Sequence, residues 1–575
     1  MRNKVIKSQI YEEENKLLSN LYLKYGSIPF ETMPFCTSLI EHNPEMRDVF
    51  GAIPSDDNES QLLARYLQMN TTSKGHLYTN VEEVADFGDI NYLINDHNRK
   101  LYKTHHSRDL CRFGKNFLYI NEYYEDTKRI LEELLNLSKG GLVGYRNLVT
   151  YWMNENPETV NCEEKKNILN EMFVNSQVAL IYGAAGTGKT YLLNHVAQLF
   201  DEQTKLFLAN TNPAVDNLRR KMKAKNCDFS TIAMFLKRGN VNATYDILIM
   251  DECSMVSNSD MRKVLEKANY KLLVLVGDTY QIEAISFGNW FSLAKYFLPR
   301  KTWNELTTPF RAKNDELLKL WTKVRKMEDD ITEHLVNYGY SSVLNESIFQ
   351  QNSSDEIILC LNYNGLYGIN NINRFLQNNN SSQGIQWGLW TYKVGDPVLF
   401  NDSQRFSPVL FNNLKGKIVD IELEPNGDRI WFSIEIDKAI GEFDIDDIEL
   451  ELLNPDELGN SVIRFYVNKS IDSDEDNDNE IDTIVPFQIA YAVSIHKAQG
   501  LEYESVKVVI TEDIDEMITH NIFYTAITRA RSNLKIYWSP ESQQRVISRF
   551  EKMNIRNDAN IFSGHSGLKL LNKNI

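Results

Sequence analysis

Residues 177–200, QVALIYGAAGTGKTYLLNHVAQLF, constrain this chain more than any other stretch. The first six read as a buried strand, and TYLLNHVAQLF places its apolar residues at helical spacing. Between them, Gly183-Ala-Ala-Gly186-Thr187-Gly188-Lys189-Thr190 fits the pattern GxxxxGK[ST]. A glycine loop in that position turns backbone N–H groups inward at the positive end of a helix dipole, which suits a row of phosphates. Lys189 is then placed to reach the β and γ phosphates, and Thr190 to ligand Mg²⁺. The implied ligands are a nucleoside triphosphate and Mg²⁺.

Further buried strands are expected at KLFLAN (205–210), YDILIMDE (245–252) and KLLVLVGD (271–278), with helical text between them. Such alternation indicates a parallel sheet covered on both faces. A second region of this kind opens at EIILCLN (356–362) and GINNINRFLQ (368–377), and resumes with SVKVVIT (505–511) and LKIYWS (534–539). Turn-rich β text, including YKVGDPVLFNDSQ and DRIWFSIEID, interrupts it and reads as a small barrel or hairpin module ending in an acidic loop. A chain of 575 residues is too long for one core, and 42% apolar residues suffice for several. The expected division is an N-terminal domain over 1–160, a first parallel-sheet domain over 161–350, and a second over 351–385 and 484–545. A β insertion occupies 386–483 and a C-terminal tail 546–575.

The formal net charge is −17, which argues against a chain that coats nucleic acid with its whole surface. The acid is concentrated in runs such as SIDSDEDNDNEID (470–482), and NLRRKMKAKN (217–226) is strongly basic, so a positive track on an acidic body is compatible with the total. Six cysteines lie far apart with no metal-ligand spacing, which suits a reducing cytoplasm. No segment has the length and apolarity of a membrane span, and the N-terminus lacks the apolar core of a signal peptide.

Two further segments carry chemistry. Asp251 and Glu252 end the strand ILIMDE; there Asp251 suits Mg²⁺ and Glu252 suits polarising an attacking water. Gln281 follows the strand at 271–278, where a glutamine can contact the γ-phosphate and the hydrolytic water. An isolated acidic pair is usually a solvated strand end; behind a phosphate loop it gains meaning.

The ordered set GAAGTGKT, LANTNPAVDNL (208–218), FSTIAMFL (229–236), DECSMV (251–256), GDTYQIEAI (277–285), LTTPFR (306–311), YAVSIHKAQGLEY (491–503) and FYTAITRAR (523–531) resembles the superfamily 1 helicases, most of all the RecD-like branch, over about residues 163–545. The resemblance implies an α/β fold of two RecA-like parallel-sheet motor domains with an inserted small SH3-like β module and an additional mixed N-terminal domain. It implies an ATP-dependent DNA helicase or translocase moving on single-stranded DNA from 5′ to 3′. The alternatives are an RNA helicase of the RNA-surveillance type, whose corresponding motif also contains AVDNL, and a nucleic-acid-stimulated ATPase switch that recruits a partner without processive unwinding.

Carried over residue by residue, the resemblance makes Arg311 and Arg529 the arginine fingers, with Arg531 a lesser candidate. A planar, permanently charged fork suits the charge on a transferring phosphoryl group. Gly500 and Glu502 correspond to the nucleotide contacts of the second motor domain. Asn212, Pro213, Thr231, Ser494, His496 and Lys497 correspond to contacts with the single strand, where amide, hydroxyl and cationic groups fit phosphate and sugar. Stacking aromatics are expected among Phe287, Trp290 and Phe291, although aromatic residues at this spacing also suit a core.

The chain departs from the family in two places. The helix EEKKNIL (163–169) lacks the glutamine that reads adenine, and too little chain separates AVDNL from DECSMV for a large inserted domain carrying a duplex-splitting wedge. Residues 1–160 hold His42, His76, His97, His105 and His106, but their spacing matches no metal motif, so partner docking or nucleic-acid guiding is the preferred reading.

Overall fold

A strand with aliphatic side chains on both faces must be covered on both, and this requirement shapes the molecule. The computed structural model describes residues 58–572 and the strand pair Lys16–Leu17 with Leu21–Tyr22, apart from 102, 158, 161, 239–242, 285, 311–313, 352, 354, 402–404, 408, 446–447, 454–459, 470–480 and 551–554. His42 and Arg311 lie outside the described residues, as does most of the acidic run at 470–482.

The first motor domain holds six parallel strands in the spatial order Trp303–Leu306, Val178–Gly183, Asn269–Gly277, Thr244–Met250, Lys205–Ala209 and Cys227–Thr231. Ala179 and Ile181 face one core with the helices Tyr145–Glu155, Glu163–Glu171, Lys189–Leu199 and Asn212–Lys221. Val178, Leu180 and Tyr182 face another, built from Asn258–Lys267 and Trp290–Phe297. That second face is completed from far along the chain. Helix Asn121–Leu137 and helix Ile555–Ser566 contribute Ile130, Leu131, Leu134, Ala559 and Phe562. Thr127 Oγ1 accepts from Asn258 Nδ2 at 2.7 Å, and Asp126 pairs with Arg262 at 2.5 Å.

The second motor domain is a parallel sheet in the order Ser341–Ser342, Ala530–Tyr537, Tyr503–Val509, Glu356–Cys360 and Ala492–Ser494. Helix Ile369–Asn379 covers one face; Asp315–Lys326, Ile331–Asn337, His520–Ile527 and Pro540–Ser548 cover the other. Residues 315–342 therefore pack into the second core, because Leu317, Leu320, Trp321 and Val324 form one buried stripe against it. On the sequence they fall within 161–350.

The insertion starts with the hairpin Gly384–Trp387 and Trp390–Lys393. An antiparallel six-stranded sheet follows, in the order Glu451–Leu453, Ser461–Asn468, Arg429–Ile436, Lys415–Leu423, Pro397–Phe400 and Phe487–Ile489, with its own core around Phe400, Phe432, Phe465 and Phe487. The N-terminal region contributes the antiparallel strands Thr79–Asn80, Phe117–Ile120 and Leu110–Phe113, with helices Glu59–Lys74 and Ile90–Lys100. His565 of the last helix stacks between Tyr124 and Phe113, with ring centroids 4.0 and 4.3 Å away, so the segment read as a tail is packed structure. No helix among the described residues is long and apolar enough to cross a membrane. Nor, among the described residues, does any group of three or more His, Cys, Asp or Glu side chains stand where it could hold a metal ion, His76, His97, His105 and His106 included.

Candidate nucleotide-binding cleft

The strand Val178–Gly183 ends in a loop whose Gly186 and Gly188 have φ of +77° and +81°, a region that only glycine enters without strain. A Cβ on Gly183 would stand 2.8 Å from Thr187 Oγ1, so the cradle has no room for side chains there. Thr187 Oγ1 in turn donates to Ala184 O at 2.9 Å. Gly188 caps helix Lys189–Leu199, and Lys189 Nζ donates to the Gly183 and Ala184 carbonyls at 2.8 and 3.0 Å.

The loop borders a cleft of ≈ 680 Å³ between the two sheets. From the first domain come Gly186, Gly188, Lys189, Thr190, Asp251, Glu252 and Gln281; from the second come Gly500, Glu502 and Arg529. Most of the nucleotide-site residues expected from the sequence thus line one cleft; Gly183 and Thr187 lie in the loop without lining it, and Arg311 is outside the described residues. A shaped glycine cradle, a threonine hydroxyl and two carboxylates in one cleft fit a nucleoside triphosphate with Mg²⁺, with Thr190 and Asp251 the residues that would hold the ion.

The carboxylates sit under tension. Asp251 is buried at the end of Thr244–Met250, and its Oδ1 accepts from Glu252 N at 2.9 Å. Glu252 adopts φ 55° and ψ 38°, a left-handed backbone uncommon for a residue with a side chain, which points its carboxyl into the cleft at a cost of about 1–3 kcal/mol. Its Oε2 is buried with no hydrogen-bond partner among the described residues. Burial first, and the adjacent Asp251 second, push the Glu252 carboxyl up to about 7, against the opposing pull of Arg529 and Lys189. Burial also raises Asp251, offset by the Glu252 N–H, Lys189 and Lys221.

Arg529 is buried beside this pair. Its Nε donates to Thr525 O at 3.0 Å, Nη1 to Leu501 O at 3.2 Å and Nη2 to Thr528 Oγ1 at 3.4 Å. Arg531 points elsewhere: it pairs with Asp355 and, at 3.8 Å, Glu504. The lesser candidate is thus separated from the cleft by its own ion pairs.

Several cleft groups were not singled out on the sequence. Tyr524, fully buried in helix His520–Ile527, accepts from Ala185 N of the glycine loop and donates to Asp278 Oδ2, both at 3.2 Å. The neighbouring Thr525 Oγ1 accepts from Ile282 N at 2.9 Å, one residue beyond Gln281. These hydroxyls join the loop, the Gln281 turn and the helix leading to Arg529. Lys165, Tyr191 and Phe310 line the cleft as well. Phe310 precedes Arg311 in TPFR and Tyr524 lies within FYTAITRAR, so the motif text marked both segments without distinguishing these side chains.

The expected strand contacts divide. Asn212 and His496 are exposed, whereas Pro213 and Ser494 are buried. Thr231 Oγ1 caps helix Ile232–Lys237 by accepting from Met234 N, Ser494 Oγ accepts from Lys497 N at 3.2 Å, and Lys497 Nζ donates to Gln488 Oε1 at 2.6 Å. The two domains meet at these motifs: a Cβ on Gly500 would stand 3.6 Å from Pro213 Cβ and Thr211 Oγ1. Phe287, Trp290 and Phe291 belong to the core; Trp290 Nε1 donates to Val256 O at 2.8 Å, and Phe291 lies 4.5 Å from Tyr182.

The AAA domain family matches residues 163–344 and the UvrD-like helicase C-terminal domain family matches 489–537. The RecBCD enzyme subunit RecD of Mycolicibacterium smegmatis is 22% identical over 336 residues, 53% of this chain and 52% of that one. The ATP-dependent DNA helicase Pif1 of Campylobacter jejuni is 23% identical over 417 residues, 62% and 87% of the two chains. A solved structure of Pif1 from Bacteroides with ADP-AlF3 and ssDNA is similar with a TM-score of 0.44 at 15% identity, covering 71% of this chain and 98% of that one. The chain spans about half the length, 52%, of the RecD relative. With both family matches falling in order around one cleft, the chain is similar to the superfamily 1 helicases, in their RecD-like and Pif1-like branch.

Proposed function

We propose that this protein is an ATP-dependent DNA helicase or translocase that moves along single-stranded DNA from 5′ to 3′. The carrying observation is the single cleft that unites the glycine loop, Asp251, Glu252 and Gln281 of one motor domain with Glu502 and Arg529 of the other. Hydrolysis at such a seam changes the contacts that hold the domains together, so it changes their separation. In this reading Lys189 and Arg529 hold the phosphates and Glu252 takes a proton from the attacking water. Bound Mg²⁺ would neutralise charge on the phosphates. Asn212 and His496, exposed on different domains, would grip the strand alternately, and Thr231 and Lys497 would shape their segments. The RecD-like relationship and the β insertion favour DNA and the 5′ to 3′ direction. A protein partner would dock through residues 1–160.

The test is steady-state ATPase without nucleic acid, with single-stranded DNA and with single-stranded RNA at matched salt, since strand affinity is steeply salt-dependent. Lys189→Ala serves as the blank. Stimulation by DNA, followed by displacement from duplexes with 5′ tails and not 3′ tails, supports the proposal. Stimulation by RNA alone, or none, removes it; stimulation without displacement leaves the partner-recruiting switch.

A further inference from the structure

Lys165 is a buried cation for which the phosphate chemistry gives no task. Its side chain is 2% exposed, yet it lines the cleft. Among the described residues it has no hydrogen-bond or ion-pair partner. Its Nζ lies 4.0 Å from the ring centroid of Phe310 and 5.1 Å from that of Tyr191, and a Cβ on Gly188 would stand 2.9 Å from it. Burial of an ammonium is costly and is normally offset by a carboxylate. Here two aromatic faces do so in part. The cost is visible in the Lys165 ammonium, which burial holds below the usual lysine range.

The surroundings locate what the ammonium could meet. Asp251, Glu252, Gln281 and Arg529 mark the reacting end of the cleft. Tyr191 follows Thr190 on the first turn of the phosphate-binding helix, and Phe310 N donates to Gly186 O at 2.8 Å, tying that segment to the opposite side of the loop. Both rings are nearly half exposed, Tyr191 at 42% and Phe310 at 47%, so each offers a face to the cleft. Tyr191 is held by its hydroxyl, which donates to Thr159 O at 2.9 Å, and by an edge contact with His195 at 4.4 Å. Two available ring faces flanking a lone donor suit a flat ring with acceptors on its edge.

We propose that Lys165, Tyr191 and Phe310 form the base subsite of this cleft, and that it takes bases by an acceptor edge, so that guanosine triphosphate is used at least as well as adenosine triphosphate. The reason is donor and acceptor arithmetic. A lysine has three donors and no acceptor. Guanine presents O6 and N7, two adjacent acceptors, whereas adenine presents N7 beside an amino donor that an ammonium opposes. The inference rests on the nucleotide-hydrolysing reading of the cleft, and it is independent of any strand.

The experiment compares kcat/KM for GTP, ITP and ATP in the full chain without nucleic acid, and the displacement of fluorescent ADP by GDP, IDP and ADP. Wild type and Lys165→Gln are measured side by side, with Lys165→Met as a variant that keeps the stem packing. The expected result is a GTP to ATP ratio of one or more in the wild type and a fall of about tenfold in that ratio in Lys165→Gln, whatever happens to the absolute rate. ITP, which keeps O6 and N7 without the guanine amino group, follows GTP. A wild type that prefers ATP more than tenfold overturns the proposal. So does a ratio unchanged in both variants, because an ammonium serving the α-phosphate would weaken all nucleotides alike. The displacement assay reads the same ratio if turnover is slow. Loss of strand stimulation would remove the helicase reading and leave this comparison intact.

Discussion

The first sheet delivers its cleft residues in short runs, Gly183 to Thr190 and Asp251 to Glu252, each at the end of a buried strand. The second delivers Gly500 and Glu502 from one segment, and Tyr524 and Arg529 from a helix and its following turn more than twenty residues later. In the first case the local backbone sets the chemistry: positive φ at Gly186 and Gly188, and a left-handed Glu252. In the second, position depends on contacts between domains, such as Tyr524 on Ala185 and Thr525 on Ile282. On the proposed function the contrast would give binding to the first sheet and timing to the second, because only contacts across the seam would change as the domains move.

The largest test of that contrast separates two arginines that are neighbours in sequence. Arg529→Ala should lower kcat by about 10³-fold or more, as for a group that stabilises transferring phosphoryl charge, with a much smaller change in nucleotide affinity. Arg531→Ala should stay within about threefold, because Arg531 spends its charge on Asp355 and Glu504 at the surface, where ion pairs are worth little. Equal losses in the two variants would mean that the seam is read from the wrong side chain.

Next comes the first sheet itself. Glu252→Gln should cost about 10²–10⁴ in kcat as the loss of a general base. With the Glu252 carboxyl pushed up to about 7, wild-type kcat should climb as pH rises through about 7 and level off above it, a step that the Gln variant lacks. The stability effect has the opposite sign. Between its ordinary value and about 7 the folded state holds the proton that the unfolded state has lost, so stability falls as pH rises through that window. Glu252→Gln should therefore melt higher than wild type at pH 8, and a lower melting point would show that the carboxylate is better accommodated than its Oε2, without a partner among the described residues, implies.

This division also explains what could be read from the sequence. Seven of the buried strands were visible as aliphatic runs, from QVALIY to LKIYWS, because a strand covered on both faces leaves that mark. Trp303–Leu306 and Ala492–Ser494 were not: four and three residues are too short to show a period. The stripe Leu317, Leu320, Trp321 and Val324 announces a helix but cannot say which sheet it covers. In the site, Lys189, Asp251 and Gln281 were legible because each follows a strand at fixed spacing. Lys165 was not, since an EEKK helix start reads as solvated surface until the fold folds one lysine inward. Phe287, Trp290 and Phe291 show the converse, aromatic residues beside a functional motif that serve the core.

A middle-sized effect tests whether the seam carries timing. Tyr524→Phe removes one hydroxyl without opening a cavity, leaving Ala185 N and Asp278 Oδ2 without that partner. A lost hydrogen bond to a carboxylate is worth about 1.5–3 kcal/mol, so a fall of about tenfold or more is expected in strand-stimulated kcat. ATP affinity measured at equilibrium should move less than threefold. If affinity falls as far as kcat, the hydroxyl shapes the loop for binding and the contrast between the sheets fails at this point.

The smallest expected effect reaches the cleft from the β insertion. Lys415, at the start of Lys415–Leu423, donates through Nζ to Glu502 O at 3.0 Å and pairs with Asp355 at 3.3 Å, with its ammonium 3.6 Å from the Tyr503 ring centroid. On the other side of the cleft, Arg220 of the first domain joins Asp216 and Asp437, the latter just past the insertion strand Arg429–Ile436. The insertion thus touches both motor domains through charged side chains next to cleft residues. Lys415→Met keeps the apolar stem and removes the donor. Since Glu502 is held here through its backbone carbonyl, the expected change is about two- to fivefold in the KM for nucleotide, the size of one partly exposed polar contact. Asp437→Asn should change basal hydrolysis less still, but should alter its stimulation by a strand if the insertion reports strand occupancy to the seam. A Lys415→Met enzyme with unchanged KM and unchanged strand stimulation would reduce the insertion to a surface that the motor carries without consulting.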